Sequence, residues 1–292
     1  MDSSMTIGLF ANLKKATVLE TVQRLLDWLK DRPVRVVGDP ELCRQIRAGS
    51  GIESVEHSAF SAISDIVIAM GGDGTMLAAA RQMGGTQKPL LGVNLGSLGF
   101  LADIYPDELF SRMEAVLAGD YEIERRMTLK ARLETGGACC DYHALNDVVM
   151  ARGGIPRMIR IEATVNGQKF GIFHTDGIIL ATPTGSTAYS LAAGGPIVFP
   201  SLESIVLNPI CPHTMTARPT LIPASSQIRL KMQSPDQEAL VSVDGQVMSR
   251  IDTNTEIEVT RGESDIQLIQ FEGHNFFDVL RKKLQWATSH RR

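Results

Sequence analysis

The segment Gly71–Thr75, with the sequence Gly-Gly-Asp-Gly-Thr, combines the residue types of a phosphate-binding loop with an acidic side chain. It follows the apolar run Ile66–Met70, which predicts a buried strand, and it precedes a helical pattern. Glycines let the backbone approach a ligand closely and take positive φ values, and free N–H groups at a helix start bind anions such as phosphate. In that setting Asp73 suits acceptance of a proton from a hydroxyl, or a magnesium ion beside the phosphates. A tight turn with Asp73 as a helix cap is the simpler alternative.

Two further polar clusters follow predicted strands or lie within them. The glycine spacing of Asn94–Leu101 predicts a loop that lies against a ligand or another backbone segment, and a purely structural turn fits as well. In the pair Asn146-Asp147, the Asn side chain can donate and accept hydrogen bonds and the Asp carboxylate can only accept them. This combination suits an adenine edge or a ribose diol. Taken alone, that pair is more typical of a turn.

The longest polar cluster runs from His174 to Pro196 and contains six hydroxyl side chains between Thr182 and Ser190. A turn needs far fewer hydrogen-bonding groups, so this density predicts a polar ligand. The later Asp244-Gly245-Gln246 segment first indicates a hairpin turn, and a ligand contact is its second interpretation.

Several classes of protein find no support in the sequence. The Walker pattern, a G-x-G-x-x-G after the first strand, H-E-x-x-H and G-x-S-x-G are all absent. The net charge of −4 argues against nucleic acid as a partner, and no apolar run is long enough for a membrane helix. Four scattered cysteines and the lack of an export signal lead us to expect a cytoplasmic protein.

The first 120 residues alternate between strand and helix patterns, which is typical of an open α/β sheet. Strands are predicted at Thr6–Phe10, Val34–Val37, Ile66–Met70 and Leu90–Asn94. Helices are predicted at Ala16–Lys30, Glu41–Ala48, Met76–Met83 and Asp107–Leu117.

Beyond Gly119 the apolar residues alternate with period two, and turn residues such as Asn166-Gly167 separate the segments. This pattern predicts an all-β domain, either a sandwich or paired sheets. Phe276–Trp286 is helical again and has an apolar stripe formed by Phe276, Phe277, Leu280 and Leu284, so we expect it to pack on the first domain. The predicted domains are therefore 1–120 with 273–292, and 121–272.

Together the Gly71–Thr75, Asn94–Leu101, Asn146-Asp147 and Asp176–Tyr189 motifs, with Pro212–Thr214 and Ala217–Pro219, resemble the bacterial NAD kinase family. The resemblance extends from about Ile66 to Trp286. Diacylglycerol and sphingosine kinases share the Gly-Gly-Asp-Gly motif, and phosphofructokinases have a similar one.

The resemblance implies transfer of the γ-phosphoryl group of ATP to the 2′-hydroxyl of the adenosine ribose of NAD, which gives NADP and requires magnesium. It also implies an N-terminal Rossmann-like α/β domain, a C-terminal β-sandwich-like domain with NAD between the two, and a last helix that returns to the first domain. Members of the family are usually homotetramers or homodimers. The implied partners are NAD and ATP, without nucleic acid or a membrane.

The resemblance also implies roles for individual residues. Asp73 stands at the position of the proton acceptor, Gly74 lies against the dinucleotide, and Asn146 and Asp147 hold its adenosine half. His174 stands where other members often carry arginine and could reach across a subunit boundary. The remaining positions that correspond to dinucleotide contacts are Arg157, His174, Asp176, Thr187, Ala188, Tyr189, Ser190, Leu191, Ala192 and Gln246.

Two other functions compete with this one. A lipid or small-alcohol kinase could share the Gly71–Thr75 loop, but it would need an apolar substrate cleft where this chain has the polar Thr182–Ser190 run. A non-catalytic dinucleotide sensor would bind NAD without turning over ATP, and the intact Asp73 argues against it.

Overall fold

The computed structural model describes residues 5–102, 104–154, 157–235, 237–273 and 275–286. The chain divides into two compact units. The first comprises the described residues of Met1–Arg125 and Ile266–Arg292, and the second is Arg126–Asp265. Among the described residues, no helix is long and apolar enough to cross a membrane.

The first unit is built on a sheet with seven strands in its described part, in the order β3-β2-β1-β4-β5-β19-β6. The strands are β1 (Met5–Ala11), β2 (Val34–Gly38), β3 (Ile52–Ser54), β4 (Ile66–Gly71), β5 (Pro89–Asn94), β6 (Glu122–Arg126) and β19 (Ile266–Gln270). The helices of this unit are α1 (Val18–Leu29), α2 (Pro40–Gln45), α3 (His57–Ile63), α4 (Asp73–Met83), α5 (Leu109–Ala118) and α7 (Phe276–Leu284).

The central strands of this sheet are parallel, because β1 pairs in parallel with both β2 and β4, and β4 with β5. Every residue of β4 is buried, as expected for a strand covered on both faces. Helix α1 buries an apolar face formed by Val18, Val22, Leu25, Leu26 and Leu29. The sequence predicts the last four of these residues together with Leu19, which is only half-buried. The predicted open α/β domain is thus confirmed.

The carboxyl ends of the parallel strands lie along one edge of the sheet. From β1 the chain continues to β2 on one side, whereas β4 adds to the opposite side of β1. The connections therefore leave β1 and β4 in opposite directions, and such a switch point is where open α/β sheets bind ligands.

The second unit consists of two six-stranded sheets in its described part. One has the order β11-β10-β15-β18-β7-β8 and the other has the order β14-β13-β12-β9-β16-β17. Alternate residues of both sheets, such as Leu129 and Ile161 from one and Met150 and Leu180 from the other, form a single buried core. This is the predicted β-sandwich-like domain.

The strands of this second unit are antiparallel and short, and a small helix interrupts them. The strands are β7 (Leu129–Thr135), β8 (Ala138–Ala144), β9 (Asp147–Arg152), β10 (Ile159–Val165), β11 (Gln168–Thr175), β12 (Gly177–Ala181), β13 (Ser204–Ile210), β14 (Thr220–Pro223), β15 (Ile228–Met232), β16 (Ala239–Val243), β17 (Gln246–Ile251) and β18 (Thr255–Arg261). A 3-10 turn at Gly185–Thr187 and helix α6 (Tyr189–Ala192) follow β12.

Both predicted two-residue hairpins are present. Asn166 and Gly167 have φ values of 51° and 75°, and Asp244 and Gly245 have 48° and 75°. Two successive residues with positive φ make the turn that matches the twist of the flanking strands. The hairpin interpretation of Asp244-Gly245 is therefore confirmed.

The structure differs from the sequence predictions at several places in the first unit. Strands β6 and β19 lie in its sheet, although the predicted domain boundaries place both segments in the β-rich domain. Helix α4 begins at Asp73 rather than Met76. In α7 the buried residues are Val279 and Leu280, whereas Phe277, which was expected in the apolar stripe, is 52% exposed.

Candidate active site

The carboxylate of Asp73 is fixed by backbone amides from a loop almost thirty residues further along the chain. Oδ2 accepts a hydrogen bond from the N–H of Phe100 at 2.9 Å. Oδ1 accepts from the N–H groups of Leu101 at 2.9 Å and Ala102 at 3.3 Å. Asp73 is the first residue of α4, directly after the carboxyl end of β4. The side chain is thus held in one orientation at the ligand-binding edge of the parallel sheet.

The Asn94–Leu101 cluster forms the platform that holds this carboxylate. The buried Asn94 donates to the carbonyl oxygens of Ser97 at 2.7 Å and Ala102 at 3.1 Å, and it accepts from the Gly96 N–H at 2.9 Å. Gly99 permits the approach, because a Cβ at this position would lie 2.1 Å from Asp73 Oδ1. The loop therefore lies against another part of the chain, the start of α4.

The glycines around Asp73 do not have the backbone conformation that was expected for them. None of Gly71, Gly72 and Gly74 has a positive φ, so the expected left-handed backbone is wrong. Gly71 is required by packing, because a Cβ there would lie 2.1 Å from Thr75 Oγ1. A Cβ at Gly72 or Gly74 would meet no atom within 4 Å. Glycine at these two positions therefore leaves open space beside Asp73. The packing of the fold does not require glycine at either position.

In the second unit, antiparallel pairing brings three of the sequence motifs to one edge of a sheet. Asp147 at the start of β9 pairs with Ala181 at the end of β12, and Val148 pairs with Val243 at the end of β16. Asn146-Asp147, the Thr182–Ala192 segment and Asp244–Gln246 consequently lie together at this edge. We call it the Asn146 edge.

The turn residue Asp244 organises the Asn146 edge. Its carboxylate accepts hydrogen bonds from the N–H groups of Leu145 at 3.0 Å, Asn146 at 2.7 Å and Asp147 at 3.2 Å. Gly185 packs closely on the same segment, since a Cβ there would lie 2.0 Å from the Asn146 carbonyl oxygen. The backbone around Asn146 is therefore held from two sides. The sequence analysis did not assign this function to Asp244, although the Asp-Gly dipeptide is visible as a turn signal.

Most hydroxyls of the Thr182–Ser190 run form hydrogen bonds within the chain, so their number alone does not indicate a ligand. Thr182 donates to the Leu145 carbonyl at 2.6 Å, and Ser186 donates to the Pro183 carbonyl at 2.6 Å. Ser190 is fully buried and accepts from the side chain of Asn208. Tyr189, in contrast, is 47% exposed. The hydroxyl density thus reflects a compact turn whose backbone groups need partners.

Asn208 is a further site residue that the sequence analysis missed. It is buried in β13 and donates to the Ser190 carbonyl at 3.0 Å, which ties the turn after β12 to the neighbouring strand. A single amide inside the apolar run Ile205–Ile210 was the signal that could have revealed it.

Asp147 is a buried carboxylate with an altered acidity. Only 4% of the residue is exposed. Burial raises the pKa of its carboxyl group to about 7, with a smaller contribution from the negative charge of Asp244. Near neutral pH this group exists in both protonation states, so it can donate or accept a hydrogen bond.

Among the expected site residues of the second unit, three do not lie at the Asn146 edge. Asp176, just before β12, forms an ion pair with Arg152 at 2.8 Å. Arg157 lines a pocket together with Arg152, and His174 is exposed on the edge strand β11. The five residues of β12 separate Asp176 from the Asn146 edge by roughly 17 Å along the strand. Within the second unit, the expected contacts therefore form two separate groups.

Comparison with known proteins identifies the family. Residues 7–121 match the ATP-NAD kinase N-terminal domain, and residues 145–271 match the ATP-NAD kinase C-terminal domain. An NAD kinase of Citrifermentans bemidjiense is 42% identical over 283 residues, which cover 96% of this chain and 98% of the relative. An NAD kinase of Geobacter sulfurreducens is 39% identical over 96% of this chain and 98% of its own length.

Solved structures agree with this assignment. Yeast NADH kinase in complex with NADH superposes with a TM-score of 0.92 at 27% identity, over 99% of this chain and 89% of the yeast chain. An NAD kinase from Archaeoglobus fulgidus in complex with ATP has a TM-score of 0.75 at 24% identity, over 96% of this chain and 99% of that one, and shows the shared fold. The sequence, both domains and the fold lead to one conclusion: the chain belongs to the ATP-NAD kinase family.

Proposed function

We propose that this member of the ATP-NAD kinase family transfers the γ-phosphoryl group of ATP to the 2′-hydroxyl of the adenosine ribose of NAD, with Asp73 as the proton acceptor. The coarser activity, ATP-dependent phosphorylation of NAD to NADP, follows from its family. The observation that supports the residue-level proposal is the fixed Asp73 carboxylate beside two glycines that face open space.

Asp73 Oδ2 is the atom to which we assign proton transfer. Oδ1 accepts two backbone N–H groups, whereas Oδ2 accepts one and retains a lone pair for a substrate hydroxyl. As the bond between O2′ and the γ-phosphorus forms, the bond from that phosphorus to the bridging oxygen of ADP breaks. The hydroxyl proton moves to Asp73, and ADP leaves with the bonding electron pair. A correctly placed carboxylate of this kind contributes about 10²–10⁴-fold to the rate.

The open positions Gly72 and Gly74 serve the phosphates in this proposal. Helix α4 begins at Asp73, and its first N–H groups are available to an anion at that end. A side chain at Gly74 would extend into the space that the transferred group and the dinucleotide need. Positioning of both substrates accounts for most of the expected rate acceleration, since a ribose hydroxyl is a weak nucleophile.

The adenosine half of NAD is assigned to the Asn146 edge. Asn146 is half-buried on a backbone clamped by Asp244, and Asp147 titrates near neutrality. Both can therefore present hydrogen-bonding groups in fixed positions to a base edge or a ribose. The exposed ring of Tyr189 supplies an aromatic surface at the same edge. The other residues that we assign to dinucleotide contacts here are Thr187, Ala188, Ser190, Leu191, Ala192 and Gln246.

Magnesium is proposed as the metal that accompanies ATP. The described residues contain no group of three or more His, Cys, Asp or Glu side chains placed to hold a metal ion. This arrangement fits Mg²⁺, which usually keeps several waters and binds one or two carboxylates together with substrate phosphates. Asp73 is the carboxylate that would lie nearest such a complex. When bound, the ion would offset negative charge on the phosphates.

A homo-oligomer, either a dimer or a tetramer, is part of the proposal. Arg157, His174 and Asp176 lie at the end of β12 opposite the Asn146 edge. Their expected contact with the dinucleotide is satisfied if they reach NAD bound to another copy of the chain. His174 is exposed on an edge strand, where such a contact is accessible.

We also propose a cytoplasmic location, with no nucleic-acid or membrane partner. All four cysteines, each within the described part of the chain, are free thiols, and three of them are exposed. Exposed unpaired thiols persist in a reducing compartment.

The proposed function is tested by incubating the protein with NAD, ATP and magnesium and coupling the product to an NADP-specific dehydrogenase. NADP formation that requires both substrates supports the proposal. Failure to form NADP, together with phosphorylation of a lipid alcohol, would favour the competing kinase function.

A further inference from the structure

The turn between β16 and β17 is tied to the Asn146 edge through its first residue, Asp244. The Asp244 N–H donates to the Asp147 carbonyl at 3.0 Å. In the opposite direction, the Asp244 carboxylate accepts the N–H groups of three consecutive residues, at 3.0 Å, 2.7 Å and 3.2 Å. One residue of the turn therefore fixes the backbone that carries Asn146 and Asp147, to which we assign the adenosine half of NAD.

The turn itself does not require an aspartate. A two-residue hairpin with positive φ at both positions accepts Asn-Gly or Gly-Gly as readily as Asp-Gly. The β10–β11 hairpin has Asn166 at φ 51°, where Asp244 has φ 48°. Asn166 Oδ1 accepts one backbone group, the N–H of Gln227 at 2.9 Å. The second oxygen and the negative charge at position 244 are therefore not explained by the conformation of the turn.

The negative charge of Asp244 acts on Asp147. Three elements are packed against Asp147, and β12 contributes only glycine and apolar residues, Gly177–Ala181. The Thr182–Ala192 segment contributes Tyr189, and the guanidinium of Arg126 donates to Thr184 of this segment at 3.4 Å. The turn after β16 contributes the carboxylate of Asp244, which adds to burial in raising the pKa of Asp147 to about 7.

We propose that Asp244 is a positioning residue for the adenosine half of NAD, which fixes the Asn146-Asp147 backbone and holds a negative charge beside the Asp147 carboxylate. An ionised Asp147 is the better acceptor for the amino group of adenine or for a ribose hydroxyl. NAD therefore binds more tightly as pH rises through the range in which Asp147 loses its proton, and Asp244 shifts that range toward neutrality. This inference rests on the proposed function.

Two substitutions separate the hydrogen bonds of Asp244 from its charge. Asp244→Gly keeps the turn, because glycine takes positive φ freely, and it removes all side-chain hydrogen bonds. Asp244→Asn keeps the turn and one acceptor oxygen but removes the charge. Asn166→Gly is the matched control, because it removes a side-chain contact from the equivalent turn of the other sheet. Asn146→Ala removes an assigned adenosine contact directly.

The NAD dissociation constant of each variant is measured by calorimetry at pH 6 and pH 8, together with kcat, the KM for ATP and the melting temperature. We expect Asp244→Gly to weaken NAD binding about tenfold or more, because three backbone N–H groups lose their partner. The kcat at saturating NAD and the KM for ATP should stay within about twofold of wild type, since the substitution changes NAD binding alone. Asn166→Gly should leave NAD binding unchanged.

Asp244→Asn tests the charge. Without that charge Asp147 ionises at lower pH, so NAD affinity should differ less between pH 6 and pH 8 than it does in wild type. A pH dependence equal to that of wild type would overturn the role of the charge.

Unchanged NAD affinity in folded Asp244→Gly, beside weaker binding in Asn146→Ala, would overturn the inference and leave the adenosine assignment in place. Unchanged affinity in both variants would overturn the assignment and the inference with it. NADP formation by the wild-type protein reports separately on the proposed function, because calorimetry of NAD needs no turnover.

Discussion

At the residue scale, backbone N–H groups fix the Asp73 carboxylate in the first unit and the Asp244 carboxylate in the second. Asp73 is fixed by three backbone N–H groups, and Asp244 accepts three in the same way. Backbone amides hold a carboxylate more rigidly than side-chain partners would, because they lose little freedom on forming the bond. Asp147 lies beside Asp244 and has an unusual acidity as a result of burial.

The raised pKa of Asp147 predicts that stability falls as pH rises. The unfolded carboxyl ionises near pH 4, whereas the folded one ionises near pH 7, so the folded state binds more protons between these values. The contribution of Asp147 to the free energy of unfolding is fully present below the unfolded pKa, and it is lost as pH rises through the folded pKa. The side chain of Asp147→Asn does not titrate. Between pH 5 and pH 8 we therefore expect the free energy of unfolding of this variant to rise by about 2–3 kcal/mol relative to that of wild type. Urea unfolding at both pH values, without ligand, measures this difference.

Asp141→Asn is the control for this prediction. Arg132 and Lys130 lower the pKa of Asp141. The stability that the ionised Asp141 contributes is therefore lost only when the pH falls below the ordinary pKa range of an aspartate. Asp141→Asn should therefore show the same difference in the free energy of unfolding between pH 5 and pH 8 as wild type. An Asp147→Asn variant with the same pH dependence as wild type would contradict the assigned burial effect.

At the scale of elements, the loop after β5 positions the Asp73 carboxylate. Gly99→Ala would place a Cβ 2.1 Å from Asp73 Oδ1 and 3.1 Å from the Ala102 carbonyl, so the carboxylate or the loop must move. Displacements of about 1 Å in an active site cost on the order of 10²-fold in rate. We therefore expect kcat to fall about 10²-fold.

The matched control is Gly171→Ala, whose Cβ would meet its neighbours at an ordinary 3.6 Å. Steady-state kinetics and thermal melting of both variants make the comparison. Near-normal kcat in folded Gly99→Ala would mean that Asp73 does not need its amide platform.

Helix α7 is the second element with a testable role. It buries Leu280 to 5% exposure, and Lys283 donates to the Leu98 carbonyl in the loop that holds Asp73. Leu280→Ala should destabilise the first unit by about 2–4 kcal/mol, the usual cost of such a buried truncation. Phe277→Ala, at a position that is 52% exposed, should change the melting temperature far less. Equal effects of the two substitutions would contradict the observed orientation of the helix.

At the scale of the whole molecule, the separation of the expected NAD contacts leads to a mixing experiment. Asp73→Asn removes the proposed proton acceptor, and Asp176→Asn removes a group from the opposite end of β12. If each active site combines residues of two chains, mixed oligomers contain sites in which both groups are intact. Two separately inactive variants should then regain a measurable fraction of wild-type activity after they are unfolded and refolded together. Absence of recovery in verified mixed oligomers would argue for sites completed within one chain.

Much of the architecture could be predicted from the chain, because local patterns determine it. The buried run of β4, the amphipathic face of α1 and the Asn166-Gly167 and Asp244-Gly245 turns were all readable from residue types and spacing. Strand β19 was different. A period-two pattern shows that a strand exists but not which sheet it joins, and β19 pairs with β5, which lies 178 residues earlier in the chain.

The site, too, could be predicted from the sequence only in part. Asp73 was recognisable from its glycines and its place after β4, but its partners lie in a loop that the fold brings back. The hydroxyls of Thr182–Ser190 suggested a ligand by number alone. Their actual partners are backbone carbonyls and amides, which only the folded turn reveals.

The proposal that Asp73 accepts the proton of the substrate hydroxyl is tested by Asp73→Asn. Asn is nearly the same size, and its Oδ1 can still accept the N–H groups of Leu101 and Ala102, so the protein should fold, but the amide cannot accept the proton. Single-turnover NADP formation and NAD affinity by calorimetry are measured on the same preparation. If Asp73 accepts the proton, turnover falls at least ~10²-fold while NAD binds within a few-fold of the wild-type affinity. Near-normal turnover in the variant would contradict it.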